Sequence, residues 1–178
     1  MNIRLDGPQK LFLFTFGAGL IILIFFFSPY IVDGASMNPT LNNREIIFIN
    51  KVADYTDTLK RGDIVVLYNE KTKEKYVKRL IGLPGEKIEM IKDQLYVNGN
   101  VVHEPYLHSL IEYANQTDSR LTGDFGPIKV PKNHYFVMGD NRLFSLDSRN
   151  GLGFIHKSNI WGTSELVIYP FKSMRITN

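Results

Sequence analysis

The stretch Gln94-Leu-Tyr-Val-Asn-Gly-Asn-Val-Val-His103 gives the clearest local indication of how this chain folds. Apolar and polar residues alternate on both sides of Asn98-Gly99. This dipeptide favours a type I′ turn, because both of its residues accept positive φ angles and the twist of the turn matches that of the flanking strands. The stretch therefore predicts an antiparallel β-hairpin.

Segments rich in β-branched and aromatic residues lie on both sides of this hairpin and predict further strands. They span residues 45–52, 63–68, 75–81, 87–91, 134–138 and 165–169. We therefore expect residues 30–178 to form a mostly β, antiparallel domain. Within this domain, residues 92–133 are expected to form a smaller insertion of hairpin and loop, and 103–131 an irregular connection or a small insertion. Trp161 and the aromatic residues of 169–171 are expected to belong to the core.

A long apolar segment precedes the β-rich part of the chain. No charged residue occurs between Leu11 and Val32. A bilayer core is spanned by about 20 apolar helical residues, so we predict that residues 11–29 form a transmembrane anchor. Because Arg4 and Lys10 precede this segment, residues 1–10 should stay in the cytoplasm and residues 30–178 should be extracytoplasmic. The expected location is the cell membrane, with a single pass.

Two other interpretations of the apolar segment are weaker. A cleavable signal peptide would have a shorter apolar core and a small-x-small cleavage site, whereas Pro29 and Tyr30 follow this segment and Asp33-Gly34-Ala35 is a poor site. A buried core helix remains an alternative, although helices that are apolar on all sides are uncommon in small domains.

Composition and charge argue against several classes of function. The net charge is only +3, and lysine and glutamate are interspersed, so we expect no nucleic-acid binding. The chain has no cysteine, which excludes disulfides and thiolate metal sites. The four histidines are scattered and show no metal-ligand spacing, so we predict neither a metal site nor a cofactor. They are His103, His108, His134 and His156.

Ser36 lies just beyond the apolar segment, and no histidine is placed in a motif with it. A serine hydroxyl needs an adjacent base to act as a nucleophile. Lys78 is the lysine that suits this role, because a charged run ends there and an apolar run begins, and alternation along a strand puts it on one face with Tyr76 and Leu80. To act as a base near pH 7 its pKa must fall by roughly three units, which burial can cause.

Three separated segments resemble the signature boxes of type I signal peptidases. They are Gly34-Ala-Ser-Met-Asn-Pro-Thr-Leu41, Tyr76-Val-Lys-Arg-Leu-Ile-Gly-Leu-Pro-Gly-Glu86 and Gly139-Asp-Asn-Arg-Leu-Phe-Ser-Leu-Asp-Ser-Arg149. The resemblance runs from the anchor to about Gly162 and implies a β-sheet catalytic domain that removes signal peptides from secreted preproteins. It also implies contact with the lipid bilayer and makes the secretion translocon a candidate partner.

The resemblance assigns roles to residues in each box. Ser36 would be the nucleophile and Lys78 the general base. Ser145 would orient the Lys78 amine by a hydrogen bond, with Asp147 in the supporting network. Arg149 and Arg79 would form ion pairs with Asp147 and Asp140. The resemblance also matches Val32, Leu41 and Val77 to the walls of shallow pockets for small substrate side chains, with ordinary core packing as the alternative.

The chain departs from the family pattern at two places. Many relatives carry serine at the position of Gly34, where its hydroxyl helps to bind the oxyanion, so here backbone N–H groups, chiefly that of Ser36, must serve. Leu143-Phe144 replaces a polar pair in the third box, and we expect this to alter loop packing or surface contact without loss of catalysis.

Two rival functions can be compared with the peptidase. A membrane-anchored β domain that only binds partners would not need Ser36, Lys78, Ser145 and Asp147 together. A self-cleaving repressor with the same serine and lysine chemistry would carry a DNA-binding domain where this chain has its apolar segment.

Overall fold

A computed structural model describes residues 6–51 and 59–177, except for the side chains of residues 20–25. The helices are α1 (Gly7–Phe26) and α2 (His108–Gln116), with short 3-10 turns at Pro105–Leu107, Lys157–Asn159 and Phe171–Ser173. The strands are β1 (Phe27–Ile31), β2 (Ile46–Asn50), β3 (Ile64–Asn69), β4 (Glu74–Gly82), β5 (Lys87–Ile91), β6 (Gln94–Val97), β7 (Asn100–Val102), β8 (Phe125–Lys129), β9 (His134–Met138), β10 (Ile155–His156), β11 (Ile160–Tyr169) and β12 (Arg175–Ile176).

The larger sheet positions the predicted catalytic residues. Its strand order is β1-β2-β11-β3-β4-β9-β10, with β12 beside β11, and neighbouring strands are antiparallel. Residues 32–45 connect β1 to β2 and contain Ser36, whereas Lys78 lies in β4 opposite Val65 of β3. The loop 139–149 follows β9, which pairs with β4. The three boxes thus come from separate parts of the sheet.

The predicted hairpin is confirmed and belongs to a second, smaller sheet with the order β7-β6-β5-β8. Asn98 and Gly99 both have positive φ angles, 51° and 81°, and Val97 pairs with Asn100 across the turn. This sheet begins at Lys87, five residues before the start of the expected insertion at 92.

The expectation of an irregular connection over residues 103–131 is wrong. This stretch contains α2 and β8. Its apolar residues are few, but Leu107, Ala114 and Leu121 form a buried cluster of their own. Leu107, Leu110 and Ala114 lie at helical spacing, but this short pattern stands among polar, turn-rich residues, and packing against Leu121 is what stabilises the helix.

Most of the predicted strands are confirmed, with ends that differ by one or two residues. Sequence reasoning missed β1 and the first half of β11. β1 continues the apolar segment without a break, and a short apolar run does not distinguish strand from helix. In β11, Gly162 and a register shift between Ile160 and Gly162 interrupt the alternation.

The predicted anchor corresponds in part to α1, which ends at Phe26 and is followed directly by β1. The side chains of residues 20–25, the most apolar part of the predicted anchor, lie outside the described residues. In the part of the chain that is described, no helix has both the length and the apolar character needed to cross a membrane.

The aromatic residues near the C-terminus differ from the expectation. Trp161 is half-buried, as expected, and packs against a buried apolar cluster that contains Ile47, Ile49 and Val167. Tyr169 and Phe171 are 49% and 77% exposed, so their assignment to the core is wrong. β3 pairs only with residues 160–164 of β11 and therefore does not reach Tyr169.

Candidate active site

Ser36 and Lys78 meet across the sheet although they lie 42 positions apart in the sequence. Lys78 Nζ is 2.6 Å from Ser36 Oγ and donates a second hydrogen bond to the Val77 carbonyl at 3.0 Å. As strand alternation predicts, the amine also lies near Tyr76, 5.7 Å from the ring centroid. The distance between the serine oxygen and the lysine nitrogen permits direct proton transfer.

Burial changes the acidity of this lysine. Lys78 is 2% exposed, and burial lowers its pKa from 10.5 to about 8, although the charges of Asp147 and Asp140 act in the opposite direction. At pH 7 roughly a tenth of the amine is then neutral, whereas an ordinary lysine would be almost entirely charged. The site thus contains an amine that can accept a proton near neutral pH.

Asp147 is fully buried and connects the two ends of the loop 139–149. Its carboxylate accepts hydrogen bonds from Arg149 Nε at 2.9 Å, Arg149 Nη2 at 2.8 Å and the Gly139 N–H at 3.0 Å. Burial alone would raise the pKa of Asp147, but the hydrogen bonds and charge of Arg149 outweigh it and lower the pKa. Asp147 is therefore an anion that faces the lysine.

A second buried ion pair joins β4 to the same loop. Arg79 Nε and Nη2 donate to the two oxygens of Asp140 at 2.9 and 2.7 Å, and both side chains are almost fully buried. Thr40 Oγ1 donates to Asp140 Oδ2 at 2.5 Å, which ties the segment after Ser36 to this pair. Both ion pairs expected from the sequence are present. A buried pair of this kind is costly to break, because one charge is left without a partner.

Ser145 lies in the site but does not make the expected contact. It is 2% exposed, and its Oγ has no hydrogen-bond partner among the described residues. The hydrogen bond to the Lys78 amine that the resemblance implies is therefore absent from this structure, in which the amine points to Ser36 and to the Val77 carbonyl. A buried hydroxyl without a partner is unfavourable by about 1–3 kcal/mol.

Gly34 adopts a backbone conformation that other residues rarely take. Its φ is +90°, and its N–H donates to Asn43 Oδ1 at 2.9 Å, while a Cβ at this position would meet nothing within 4 Å. The positive φ angle, rather than steric crowding, therefore disfavours any residue other than glycine at this position. Within the described part of the chain, the Ser36 N–H donates no hydrogen bond.

Val32, Leu41 and Val77 are buried together in one cluster that also contains Met37. Their exposed fractions are 3%, 0% and 6%. They are therefore core residues, and Val32 and Leu41 belong to the segment 32–45 that carries Ser36.

Sequence reasoning missed Asn141. Its N–H donates to the Ser36 carbonyl at 3.0 Å, and its side-chain amide donates to the Ala35 carbonyl at 3.1 Å. The loop 139–149 is thereby hydrogen-bonded to the serine segment itself. Asn141 lies inside the third box, so its place in that motif was the available signal. Leu143 and Phe144, the unusual pair in the same loop, are 65% and 81% exposed.

The histidines lie elsewhere. The rings of His134 and His156 contact each other, with centroids 5.1 Å apart, and their Nδ1 atoms face the Lys132 carbonyl and Ser158 Oγ. His108 lies near Glu112 on α2. None of these contacts involves Ser36.

Known proteins share both the sequence and the fold of this chain. Residues 8–169 match the protein family described as signal peptidase, peptidase S26. The chain is 56% identical over 156 residues to signal peptidase I P of Bacillus subtilis subsp. natto, across 88% of this chain and 84% of that protein. It is also 56% identical over 158 residues to signal peptidase I T of Bacillus subtilis strain 168, across 89% of this chain and 82% of that protein.

A solved structure supports the same relationship. The crystal structure of a signal peptidase I from Enterococcus faecalis V583 superposes with a TM-score of 0.55 at 36% sequence identity. The superposition covers 60% of this chain and 96% of that chain.

Proposed function

The chain belongs to the S26 family of signal peptidases, has the antiparallel β fold of that family and is a peptidase that cleaves signal peptides, and from this premise we propose that Ser36 is its nucleophile and Lys78 its general base. The observation that carries this proposal is the 2.6 Å distance between Ser36 Oγ and the buried amine of Lys78. The depressed pKa of that amine supports the assignment as well.

The chemistry follows from this geometry. Neutral Lys78 takes the proton of Ser36 as Oγ attacks the scissile carbonyl, and the resulting ammonium then protonates the amine that leaves. A water then attacks the acyl-enzyme and gives its proton to the same lysine, which passes that proton to Ser36 Oγ as the bond between Oγ and the acyl group breaks. The Ser36 N–H, which has no acceptor among the described residues, is available to bind the oxyanion.

The activity should depend on pH in a way that reports Lys78. Because only the neutral amine can act as a base, kcat/KM should fall about tenfold per pH unit below the pKa of about 8 and level off above it. Asp147 raises this pKa, so Asp147→Asn should move the acidic limb to lower pH. The measurement is cleavage of a preprotein across a pH series in detergent. An acidic limb that stays in place in Asp147→Asn would contradict the assignment.

Ser145 is proposed to hold the Lys78 amine once substrate occupies the site. We expect Ser145→Ala to lower kcat roughly ten- to hundredfold, the value of a hydrogen bond to a charged group. The melting temperature should not fall, because in the free enzyme the Ser145 hydroxyl has no partner to lose. Thermal unfolding and cleavage kinetics measure the two effects separately.

Ser148 provides the matched control in the same loop. Its Oγ accepts a hydrogen bond from the Val137 N–H at 2.9 Å, so Ser148→Ala should lower the melting temperature. Cleavage at the wild-type rate by Ser145→Ala would exclude Ser145 from the lysine-orienting role.

The specificity for small substrate side chains is proposed to come from Val32, Leu41 and Val77. The support is that Val32, Leu41 and Val77 belong to one apolar cluster with Met37, which directly follows Ser36 in the chain. Large side chains next to the scissile bond would then have no space.

We also propose that residues 11–26 anchor the enzyme in the cell membrane by a single pass, with residues 1–10 in the cytoplasm and the catalytic domain outside; the last three residues of the expected anchor, 27–29, belong instead to β1 of the catalytic sheet. The support is the absence of charge between Leu11 and Val32 and the basic residues before it. Ser36 follows the end of α1 at Phe26 by only ten residues, which holds it near the membrane surface, where the cleavage site of a bound signal peptide emerges. The bilayer and the secretion translocon are the proposed partners.

A further inference from the structure

Two lysine ammonium groups lie over the ring of Trp161. Lys75 Nζ lies 3.2 Å from the ring centroid and Lys51 Nζ lies 4.8 Å from it. Tyr30 packs its ring edge-on against Trp161 at 6.4 Å, and its hydroxyl donates to the Lys75 carbonyl at 3.3 Å. Residues from β1, β4, β11 and the end of β2 thus converge on one aromatic ring, and we call Lys51, Lys75 and Trp161 the basic cluster.

Among the described residues, no acidic side chain balances the two charges of the basic cluster. Ion pairs neutralise arginines elsewhere in the domain, for example Arg61 with Glu86 and Arg175 with Glu45. Over residues 6–51 and 59–177, neither Lys51 nor Lys75 has a carboxylate partner. Burial and the charge of Lys51 together lower the pKa of Lys75, so the two ammonium groups repel each other. A bound anion would remove this repulsion.

The position of the basic cluster indicates which anion it can meet. The Lys51 N–H donates at 2.9 Å to the carbonyl of Phe26, the last residue of α1. Phe27, the next residue, pairs with Asn50. The basic cluster is therefore in direct contact with the end of the helix. If the helix is the anchor, as proposed above, the basic cluster lies at the depth of the lipid headgroups on the outer surface.

We propose that Lys51, Lys75 and Trp161 bind the phosphate group of an anionic lipid at the membrane surface. The ammonium groups supply two positive charges to the phosphate, and each lysine near an anionic membrane contributes about 1 kcal/mol to the attraction. Tryptophan and tyrosine have an apolar ring with a polar edge, which suits the boundary between headgroups and hydrocarbon. The lipid would hold the catalytic domain in a fixed orientation beside the helix. This proposal rests on the proposed membrane anchor.

The single tryptophan of the chain makes this proposal measurable. The full chain is reconstituted in phosphatidylcholine vesicles, and the fluorescence of Trp161 is recorded as phosphatidylglycerol replaces phosphatidylcholine. We expect a saturable change in emission. In the double variant Lys51→Gln/Lys75→Gln, the amount of phosphatidylglycerol needed for half of the change should rise about thirtyfold.

Lys87 and Lys129 provide a matched control. They are exposed and lie opposite each other in the second sheet, so Lys87→Gln/Lys129→Gln removes the same net charge at a different place. This variant should respond to phosphatidylglycerol like the wild type. An equal loss in both double variants, or a normal response in Lys51→Gln/Lys75→Gln, would overturn the proposal.

Two further measurements complete the test. The first distinguishes a lipid site from a site for free anions, and the second tests the membrane anchor alone. Inorganic phosphate added to the protein in phosphatidylcholine vesicles should leave the emission of Trp161 unchanged, and a response equal to that of phosphatidylglycerol would show a site for free anions instead. Flotation of the same vesicles tests the anchor alone. Failure to float with phosphatidylcholine refutes the anchor, whereas flotation without a response of Trp161 to phosphatidylglycerol refutes only the lipid site. Preprotein cleavage in detergent tests the peptidase independently of both.

Discussion

Replacing Lys78 with methionine should reduce kcat/KM for preprotein cleavage by at least about 10³-fold, since the variant lacks the base that activates Ser36. Methionine has a similar length and no charge, so it should fit the buried position. The buried ammonium is destabilising: its pKa falls from 10.5 to about 8, which corresponds to about 3 kcal/mol. This penalty is present in full below about pH 8 and disappears as the pH rises towards 10.5. Lys78→Met should therefore be inactive and, at pH 7, more stable than the wild type.

Comparison with Ser36→Ala separates the two roles from a general loss of structure. Ser36→Ala should lose activity to a similar degree, and the double variant should be no worse than either single one, because residues that act as a unit are not additive. Lys71, which is exposed in the turn between β3 and β4, is the control: Lys71→Met should cleave like the wild type. Residual cleavage by Lys78→Met near the wild-type rate would show that another group is the base. Kinetics on a purified preprotein and thermal unfolding at pH 7 measure both effects.

Replacing Gly139 with alanine should abolish activity through the geometry of the site. A Cβ at this position would lie 2.2 Å from Ser145 Oγ and 2.3 Å from the Ser36 carbonyl oxygen, distances that no real contact allows. The Ser36 carbonyl belongs to the backbone of the reactive segment, which must move to admit the methyl group. Ser36 Oγ would then leave its position 2.6 Å from Lys78. Displacements of about 1 Å cost about 10²-fold in rate, and the overlap here is larger.

Gly151, in the same loop region, is the matched control for Gly139. A Cβ at Gly151 would approach Leu146 Cδ1 at 2.4 Å, but Leu146 is 48% exposed and the end of its side chain can rotate away. Gly151→Ala should therefore retain activity and stability. Cleavage rates and melting temperatures of the two variants measure the difference. An active Gly139→Ala enzyme would mean that the close packing of residues 139–149 against Ser36 is not required for catalysis.

Local patterns were sufficient for some parts of the fold and insufficient for others. The hairpin at Asn98-Gly99 was predictable because its turn chemistry is determined by two adjacent residues. The helix α2 was not predicted, although Leu107, Leu110 and Ala114 lie at helical spacing, because this short pattern stands among polar, turn-rich residues and only the packing against Leu121 shows that it is stabilised. The strand β1 was hidden within the apolar segment, since Phe27 and Ile31 fit a helix and a strand equally well.

The candidate site, like the fold, was predicted from the sequence only in part. The motifs identified Ser36, Lys78 and the two ion pairs, because the types and order of these residues already limit the chemistry that they can perform. The motif also assigned Ser145 a hydrogen bond to the Lys78 amine; among the described residues its hydroxyl has no partner, and that role stays a prediction. The direction of a hydroxyl depends on distances of a few tenths of an ångström, which residue identity does not determine.

Residue types and their order along the chain were enough to predict the signal peptidase family, the mostly β fold and the pair of residues proposed for catalysis. The tertiary structure decided how those residues act. Burial of Lys78 by residues distant in sequence brings its pKa to about 8, and Asn141 joins the third box to Ser36. It also decided that Lys51 and Lys75 share one tryptophan at the end of α1. The physical reason is that charge and desolvation depend on distance in space, whereas the sequence records only the order of residues along the chain.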